Sequence, residues 1–393
     1  MSLDKQYDLH HVVNVLKTRI TNTPNLSESE TSLFNVYSKR YNYCYAYNNK
    51  FEIKPTMNAN PTPQLVDRFG RYVTYVRLSV TDRCDLRCVY CMSEDMKFVP
   101  REQLLTLEEM SQIGKAFVDL GVDKIRLTGG EPLTRRNIIS VFNKLGALKG
   151  LKDLTITTNG TLLEKYAQPL KDAGVTRINV SLDTIRADRF KKITRTGKLK
   201  KTLSGIEAAL KVGFESIKLN AVIMKGYNDD EILDLVEFIR EREMDISFIE
   251  EMPLGQIGDH DRSKTYYSSD ELREFLQDNY SLSATNEQTG GPAKYFRFED
   301  DNGKHSRIGF ISPHSHNFCD DCNRVRVTAE GMLLLCLGQE HSIDLRKVVR
   351  ANPGDDEALK EAIINAMQLK PKGHNFNLNE QPIIMRHMSA TGG

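Results

Sequence analysis

From Tyr75 onward, short runs in which apolar and polar positions alternate are separated by longer stretches of helical period. The runs YVRLSV (75–80), KIRLTG (124–129), DLTITTN (153–159), RINVSLD (177–183), SIKLNAVI (216–223) and ISFIEEMP (246–253) are rich in β-branched residues and bounded by turn formers, the signature of strands. Between them, TLEEMSQIGKAFVDLG opens with Thr106, places Glu109 three residues on and stops at Gly121, a capped helix. DDEILDLVEFIREREM sets Ile232, Leu235, Val236 and Ile239 on one helical face. Strands alternating with helices imply a parallel sheet, and six such units suit a partial or complete barrel better than a short open sheet.

After about residue 290 the pattern changes. YFRFED, SRIGFIS, RVRVT and MLLLC read as short strands without helices between them, and the turn TAEGM makes the last two a hairpin. That hairpin folds Cys336 back beside Cys322. DDEALKEAIINAMQL reads as a closing helix, followed by a tail ending MSATGG. At the other end, residues 1–65 read as an extension with polar, turn-rich linkers and one short helix, LHHVVNVLKTRI. The expected organisation is therefore an N-terminal extension (1–65), a barrel (66–290) and a C-terminal region (291–393).

Composition narrows the class. The chain of 393 residues is 39% hydrophobic and 27% charged, ordinary for a globular protein. A formal net charge of +1 indicates no bulk attraction to nucleic acid or membrane. No apolar run approaches the roughly 20 residues of a membrane span, and the N-terminus has neither a signal-type apolar core nor an acid-poor leader. A cytoplasmic protein is the expectation.

Seven cysteines argue against a disulfide framework. Six fall into two triads: Cys84, Cys88, Cys91 in RCDLRCVYCM, and Cys319, Cys322, Cys336. Cys44 stands alone and reads as a thiol without a role. A structural zinc site wants four ligands, and no fourth is local to the first triad. Three thiolates hold an iron–sulfur cube and leave one iron open, and an open metal position usually marks chemistry. The useful residues also cluster just after the strands: the cysteine loop, TGGEPL, TTNGT, SLD and EEMPLG. In parallel barrels the C-terminal strand ends carry the active site. The two glycines of TGGEP are read as letting backbone N–H groups approach a ligand closely.

The cysteine triad followed by TGGEP resembles the radical S-adenosylmethionine (SAM) superfamily. The resemblance implies a partial (β/α)6 TIM-like barrel of the radical SAM type, with a small C-terminal iron–sulfur domain. It implies that the open iron chelates SAM, whose reductive cleavage yields a hydrogen-abstracting adenosyl radical. The second triad with CNRVRV and a terminal Gly-Gly is similar to the GTP 3′,8-cyclase family of molybdenum-cofactor biosynthesis, over residues 69–393. That resemblance implies two [4Fe–4S] clusters, on Cys84, Cys88 and Cys91 and on Cys319, Cys322 and Cys336. It implies SAM contacts at Tyr90, Gly130, Ser181 and Met252. GTP contacts would be Arg77, Arg126, Thr157, Lys218, Arg324, Val325 and Arg326. Five of these seven are cationic, which suits a triphosphate. The tail residues Gly392 and Gly393 would enter the cavity.

The implied reaction abstracts the ribose C3′ hydrogen of GTP and joins C3′ to guanine C8. Implied partners are an electron donor such as flavodoxin or ferredoxin, a downstream cyclic pyranopterin monophosphate synthase, and a second copy in a homodimer. Two other readings stay open: another radical SAM enzyme with an auxiliary cluster, such as a peptide-modifying one, and a non-catalytic iron–sulfur or zinc scaffold.

Overall fold

A computed structural model describes residues 65–393, save 256, 258, 259, 288, 300–305, 379–383, 385 and 393. The chain divides into two compact units, residues 1–59 and 60–393, and the described residues belong to the second. The N-terminal extension with its expected helix, Cys44 and Gly393 lie outside the described residues.

The six expected strands form β1 (Tyr75–Ser79), β2 (Lys124–Thr128), β3 (Asp153–Thr158), β4 (Arg177–Ser181), β5 (Ser216–Val222) and β6 (Asp245–Ile249). They are parallel neighbours in sequence order. Later strands are β7 (Leu282–Ala284), β8 (Lys294–Phe298), β9 (Arg307–Ile311), β10 (Arg324–Val327), β11 (Met332–Leu334) and β12 (Ser342–Asp344). All twelve make one sheet, in the order β12-β11-β10-β1-β2-β3-β4-β5-β6-β9-β8-β7. The C-terminal strands thus join the barrel sheet at both ends, β10 parallel to β1 and β9 parallel to β6. Strand pairing of this kind depends on chain reversal far away in sequence, which local alternation does not report.

Period two sorts each barrel strand into two faces. Val76, Leu78, Ile125, Leu127, Ile156, Ile178, Val180 and Leu219 belong to the apolar core. Each fully buried side chain of this kind contributes roughly 1.5–3 kcal/mol. The alternate positions are polar: Arg77, Arg126, Thr157, Asn179, Lys218 and Asn220 all border a cavity. Both faces are covered, yet one is polar, so these strands alternate instead of reading as continuous apolar runs.

The helix Leu107–Asp119 carries the expected capping box, with Glu109 N donating to Thr106 Oγ1 (3.1 Å) and Thr106 N to Glu109 Oε2 (2.8 Å). The stretch expected as a single helix from 229 begins as a 3-10 turn, Asp229–Glu231, and becomes α-helical at Ile232–Arg240. Its four predicted face residues are buried. Among the described residues no helix is long and apolar enough to cross a membrane.

Candidate active site

One cavity is lined by all six triad cysteines, with the first triad beyond the C-terminal end of β1 and the second against β10 and β11. The same cavity is lined by Tyr90, Gly130, Ser181 and Met252, and by Arg77, Arg126, Thr157, Lys218, Arg324 and Arg326. Val325 borders it too, but alternates with its arginine neighbours and packs into the apolar core.

The first triad rides on a loop held from several sides. Arg87 N and Val89 N donate to the carbonyls of Thr194 and Ile193 (3.0 and 2.9 Å), hanging the loop on the end of the helix Ala187–Thr194. Asp85 accepts from Asn159 Nδ2 (2.7 Å) and Thr161 Oγ1 (2.6 Å), joining it to the loop after β3. The Tyr90 hydroxyl donates to Asp183 Oδ2 (2.8 Å), whose Oδ1 accepts from Val222 N (2.9 Å). Tyr90 therefore ties the cysteine loop to the ends of β4 and β5.

The glycine pair packs tightly under the cysteine loop and also lines the cavity. Gly130 N donates to Thr81 O (2.8 Å), so that N–H is committed within the protein. A Cβ on Gly130 would lie 2.4 Å from the Arg83 carbonyl oxygen, and one on Gly129 the same distance from that of Thr81. Only glycine lets the end of β2 lie directly under the cysteine loop. The next residue, Glu131, is fully buried and accepts from Leu133 N (3.0 Å), Thr158 Oγ1 (2.8 Å) and Asn159 N (2.7 Å). Burial raises its carboxyl to about 7 against those hydrogen bonds.

The thiols of the two triads differ in electrostatics. Burial, then the neighbouring Glu131, pushes Cys84 up. Burial, then Cys91 and Asp183, pushes Cys88 up, and burial takes Cys91 to about 12. Such thiols ionise only against a bound metal centre, which deprotonates a coordinating thiol outright. In the second triad burial would also raise Cys322, but Lys370 and Arg324 outweigh it and bring the thiol down to about 7.

Between the triads lies a cationic band. Register aligns Arg326, Arg77 and Arg126 across β10, β1 and β2, and Asn179 with Lys218 across β4 and β5. Arg126 donates to Thr155 Oγ1 (3.1 Å) and Thr157 Oγ1 (3.3 Å), and Lys218 Nζ to Tyr295 Oη (3.0 Å). Among the described residues, Arg126, Arg324, Arg326 and Lys218 form no ion pair with a carboxylate. Burial, then Arg126 and Arg324, lowers Arg77 to about 10. Like charges packed this way disfavour one another's charged form.

The tail reaches the same space. Its last helical turn, Met388–Thr391, presents Met388 and Ser389 to the cavity. The Ser389 N–H lies against the Cys91 thiol, and Arg326 donates to the Gly392 carbonyl. Gly392 has φ +78°, and a Cβ there would meet Thr128 Cγ2 at 2.4 Å.

Sequence reasoning missed Tyr75 and His374. Tyr75 lines the cavity two residues before Arg77, and that period-two spacing was the available signal. Burial would raise its hydroxyl, but Arg126, Arg77, Lys124 and Arg324 outweigh it and bring it to about 7. Lys124 itself is not on the cavity wall, and its ammonium pairs with Asp153 (2.9 Å). His374 stacks on Phe376 (4.3 Å between ring centroids), with Nε2 buried and without a hydrogen-bond partner among the described residues. Nothing in the local sequence marked it.

Comparison with known proteins agrees with this geometry. The family "Radical SAM superfamily" matches residues 78–239, and "Molybdenum Cofactor Synthesis C" matches residues 244–376. Radical SAM chemistry uses a [4Fe–4S] cluster and SAM. The GTP 3′,8-cyclase of Saccharophagus degradans is 60% identical over 329 residues, 84% of this chain and 98% of that protein. That of Marinobacter nauticus is 56% identical over 85% of this chain and 100% of its own length. Among solved structures, Streptococcus suis SuiB bound to S-adenosylmethionine superposes with a TM-score of 0.56 at 15% identity, covering 90% of this chain and 78% of that one, a likeness of fold alone. Matched along nearly the whole length of these relatives, the chain belongs to the GTP 3′,8-cyclase family of the radical SAM superfamily.

Proposed function

We propose that this chain converts GTP to (8S)-3′,8-cyclo-7,8-dihydroguanosine 5′-triphosphate, the first step of molybdenum-cofactor biosynthesis. The observation that carries the reading is one cavity with a cysteine triad at each end and a band of cations between them. The donor chemistry fits two [4Fe–4S] clusters, each on three thiols. Among the described residues, no group of three or more His, Cys, Asp or Glu side chains is arranged for a single metal ion.

In this reading Cys84, Cys88 and Cys91 hold the SAM-binding cluster, and Cys319, Cys322 and Cys336 hold the cluster that fixes the guanine base. When bound, the first cluster with SAM supplies one-electron cleavage and a carbon radical that takes a hydrogen atom. Tyr90, Gly130, Ser181 and Met252 hold SAM around the strand ends. Arg77, Arg126, Thr157, Lys218, Arg324 and Arg326 bind and orient GTP with Val325, drawing its triphosphate into the cationic band. The buried Asn220 Oδ1, without a hydrogen-bond partner among the described residues, adds an acceptor in the same wall. Positioning is the protein's share of the catalysis, since the cofactors carry the hard step.

The family resemblance supports the remaining assignments. An electron donor of the flavodoxin or ferredoxin class reduces the first cluster, and cyclic pyranopterin monophosphate synthase consumes the product. The protein acts in the cytoplasm. Residues 66–290 serve as the barrel and 291–393 as the second-cluster and GTP region.

The test is anaerobic incubation of the iron-loaded chain with SAM, reductant and each nucleoside triphosphate in turn. GTP alone should yield 5′-deoxyadenosine together with a cyclised nucleotide. Equal 5′-deoxyadenosine with every nucleotide, and no cyclised product, would return the chain to the auxiliary-cluster alternatives. Deleting Gly392 and Gly393 should sharply lower cyclised product with iron content unchanged, and unchanged turnover would remove the tail from the site.

A further inference from the structure

The segment Lys370, Pro371, Lys372, Gly373, His374 follows the helix Asp356–Met367 and lies along the second triad. Lys370 is only 1% exposed. An ammonium has three N–H donors, and each finds an acceptor here. They reach Leu335 O at 2.8 Å, Arg324 O at 3.1 Å and Cys322 Sγ at 3.5 Å. Among the described residues no carboxylate pairs with Lys370. A buried cation without a countercharge costs several kcal/mol, and the group within its reach is the Cys322 sulfur, a ligand of the second cluster in the reading above.

The rest of the segment is fixed against the same triad. A Cβ on Gly373 would lie 3.3 Å from Cys319 Cβ and Sγ, so the backbone passes close over that cysteine. Arg71 grips the strap from below, donating to the carbonyls of Cys319 (2.6 Å), Pro371 (2.6 Å) and Lys372 (2.7 Å), while its Nε meets Asp67 (2.6 Å). Lys370 therefore joins Cys322 to the strand end just before Cys336, and Arg71 joins the strap to Cys319. Among the described residues no lysine ammonium touches a thiol of the first triad: Cys84 has Leu86 N, Asp85 and Asn159 as hydrogen-bonding neighbours, and Cys91 has the Ser389 N–H.

We infer that Lys370 is a positioning residue for the second triad and its resident countercharge. Resting on the two-cluster reading above, the inference gives the second centre a hydrogen-bonded ammonium that the first lacks. A fixed positive charge against one thiolate stabilises the more negative, reduced state, so the second centre accepts an electron more readily than it would without Lys370. The same hydrogen bond withdraws electron density from Cys322 and strengthens the open iron as an acceptor for the guanine base.

The experiment uses the full chain, reconstituted anaerobically, with Lys370→Met and Lys370→Arg variants. Iron content and a reductive titration followed by electron paramagnetic resonance are read for both centres. With Lys370→Met, the reduced fraction of the second centre at a fixed potential should fall about tenfold or more, with the first centre unmoved. Guanosine binding should weaken, while Lys370→Arg restores most of both. A Lys370→Met titration superimposable on the wild type overturns the inference. If Lys370→Met fails to hold the second centre, recovery of its iron by Lys370→Arg supports the charge role. Equal loss in both variants overturns it and leaves Lys370 as packing. Failure of the underlying reading looks different: the wild-type chain itself would then load only one centre.

Discussion

The two cysteine triads share a cavity but are built in opposite ways. The first sits on a single loop, residues 84–91, and the charges around it are mostly carboxylates, Asp85, Asp183 and Glu131, with Arg195 acting on Cys88 from the other side of the balance. The second is assembled from Cys319 and Cys322 on one loop and Cys336 past the β10–β11 hairpin, and its neighbour is the buried ammonium of Lys370. Around the first, the protein supplies acceptors that pin the loop, and the charge of its thiols is left to the bound metal. Around the second, where three separate segments must meet, the protein supplies a cation that both ties and compensates. A local motif needs anchoring, whereas a dispersed one needs a tie.

Breaking each triad tests the comparison most directly. Cys84→Ala should abolish SAM cleavage, and Cys322→Ala should spare cleavage but remove the nucleotide's cyclisation. Reconstituted iron should fall in each from about eight to about four per chain, the content of one cube. Full iron loading with either cysteine removed contradicts the assignment.

The pinning of the first loop is the next largest effect. Glu131→Ala strands two buried backbone donors, Leu133 N and Asn159 N, at about 1–3 kcal/mol each. Denaturant unfolding of the iron-free chain should show a loss of about 2–6 kcal/mol. Burial holds the Glu131 carboxyl at about 7, above its ordinary 4.5. Its contribution is then complete below about pH 4.5 and lost as pH rises through about 7, a slope that Glu131→Ala should flatten.

On the nucleotide side, Arg326→Ala should weaken GTP binding by about 1.5–3 kcal/mol, the worth of a hydrogen bond to a charged group. Guanosine and SAM binding should be spared in calorimetry. Equal losses for GTP and guanosine would contradict a phosphate role and blur the division between cation band and base site.

The smallest effect is in pH. The cations around Tyr75 bring its hydroxyl to about 7. A bound polyanion favours the protonated form of that hydroxyl, so GTP affinity should be greatest below about pH 7 and fall as pH rises past it. The change should stay within about tenfold, the worth of one unit of pKa. Guanosine should show no such fall. A flat GTP profile would show that Tyr75 lies outside the phosphate field.

Much of the first triad's surroundings is legible in the sequence because it is local. Cys84, Cys88 and Cys91 fall on one loop, and TGGEP lies one strand–helix unit later. The six barrel strands, the Thr106 cap and the buried face of Ile232, Leu235, Val236 and Ile239 follow from periods of 2 and 3.6, which any short window displays. The period-two spacing of Arg324 and Arg326 likewise puts two cations on one strand face.

Position across the chain is settled only by folding. That β10 lies beside β1 and β9 beside β6 decides that Arg326 meets Arg77 in register, although the chain between them builds the whole barrel. The role of Lys370 has no local signal, since a lysine after an amphipathic helix ordinarily reads as surface charge; its burial against Cys322 and Leu335 exists only once three segments converge. For Gly129 and Gly130 the local sequence suggests ligand approach but not their packing, because the Thr81 and Arg83 carbonyls they pack under come from a different strand end. Sequence by itself determined the residue types, the periods and the local loops, because those depend on near neighbours. Tertiary structure decided which charges face one another and which thiols share a cavity, because burial and electrostatics depend on what the rest of the chain brings into contact.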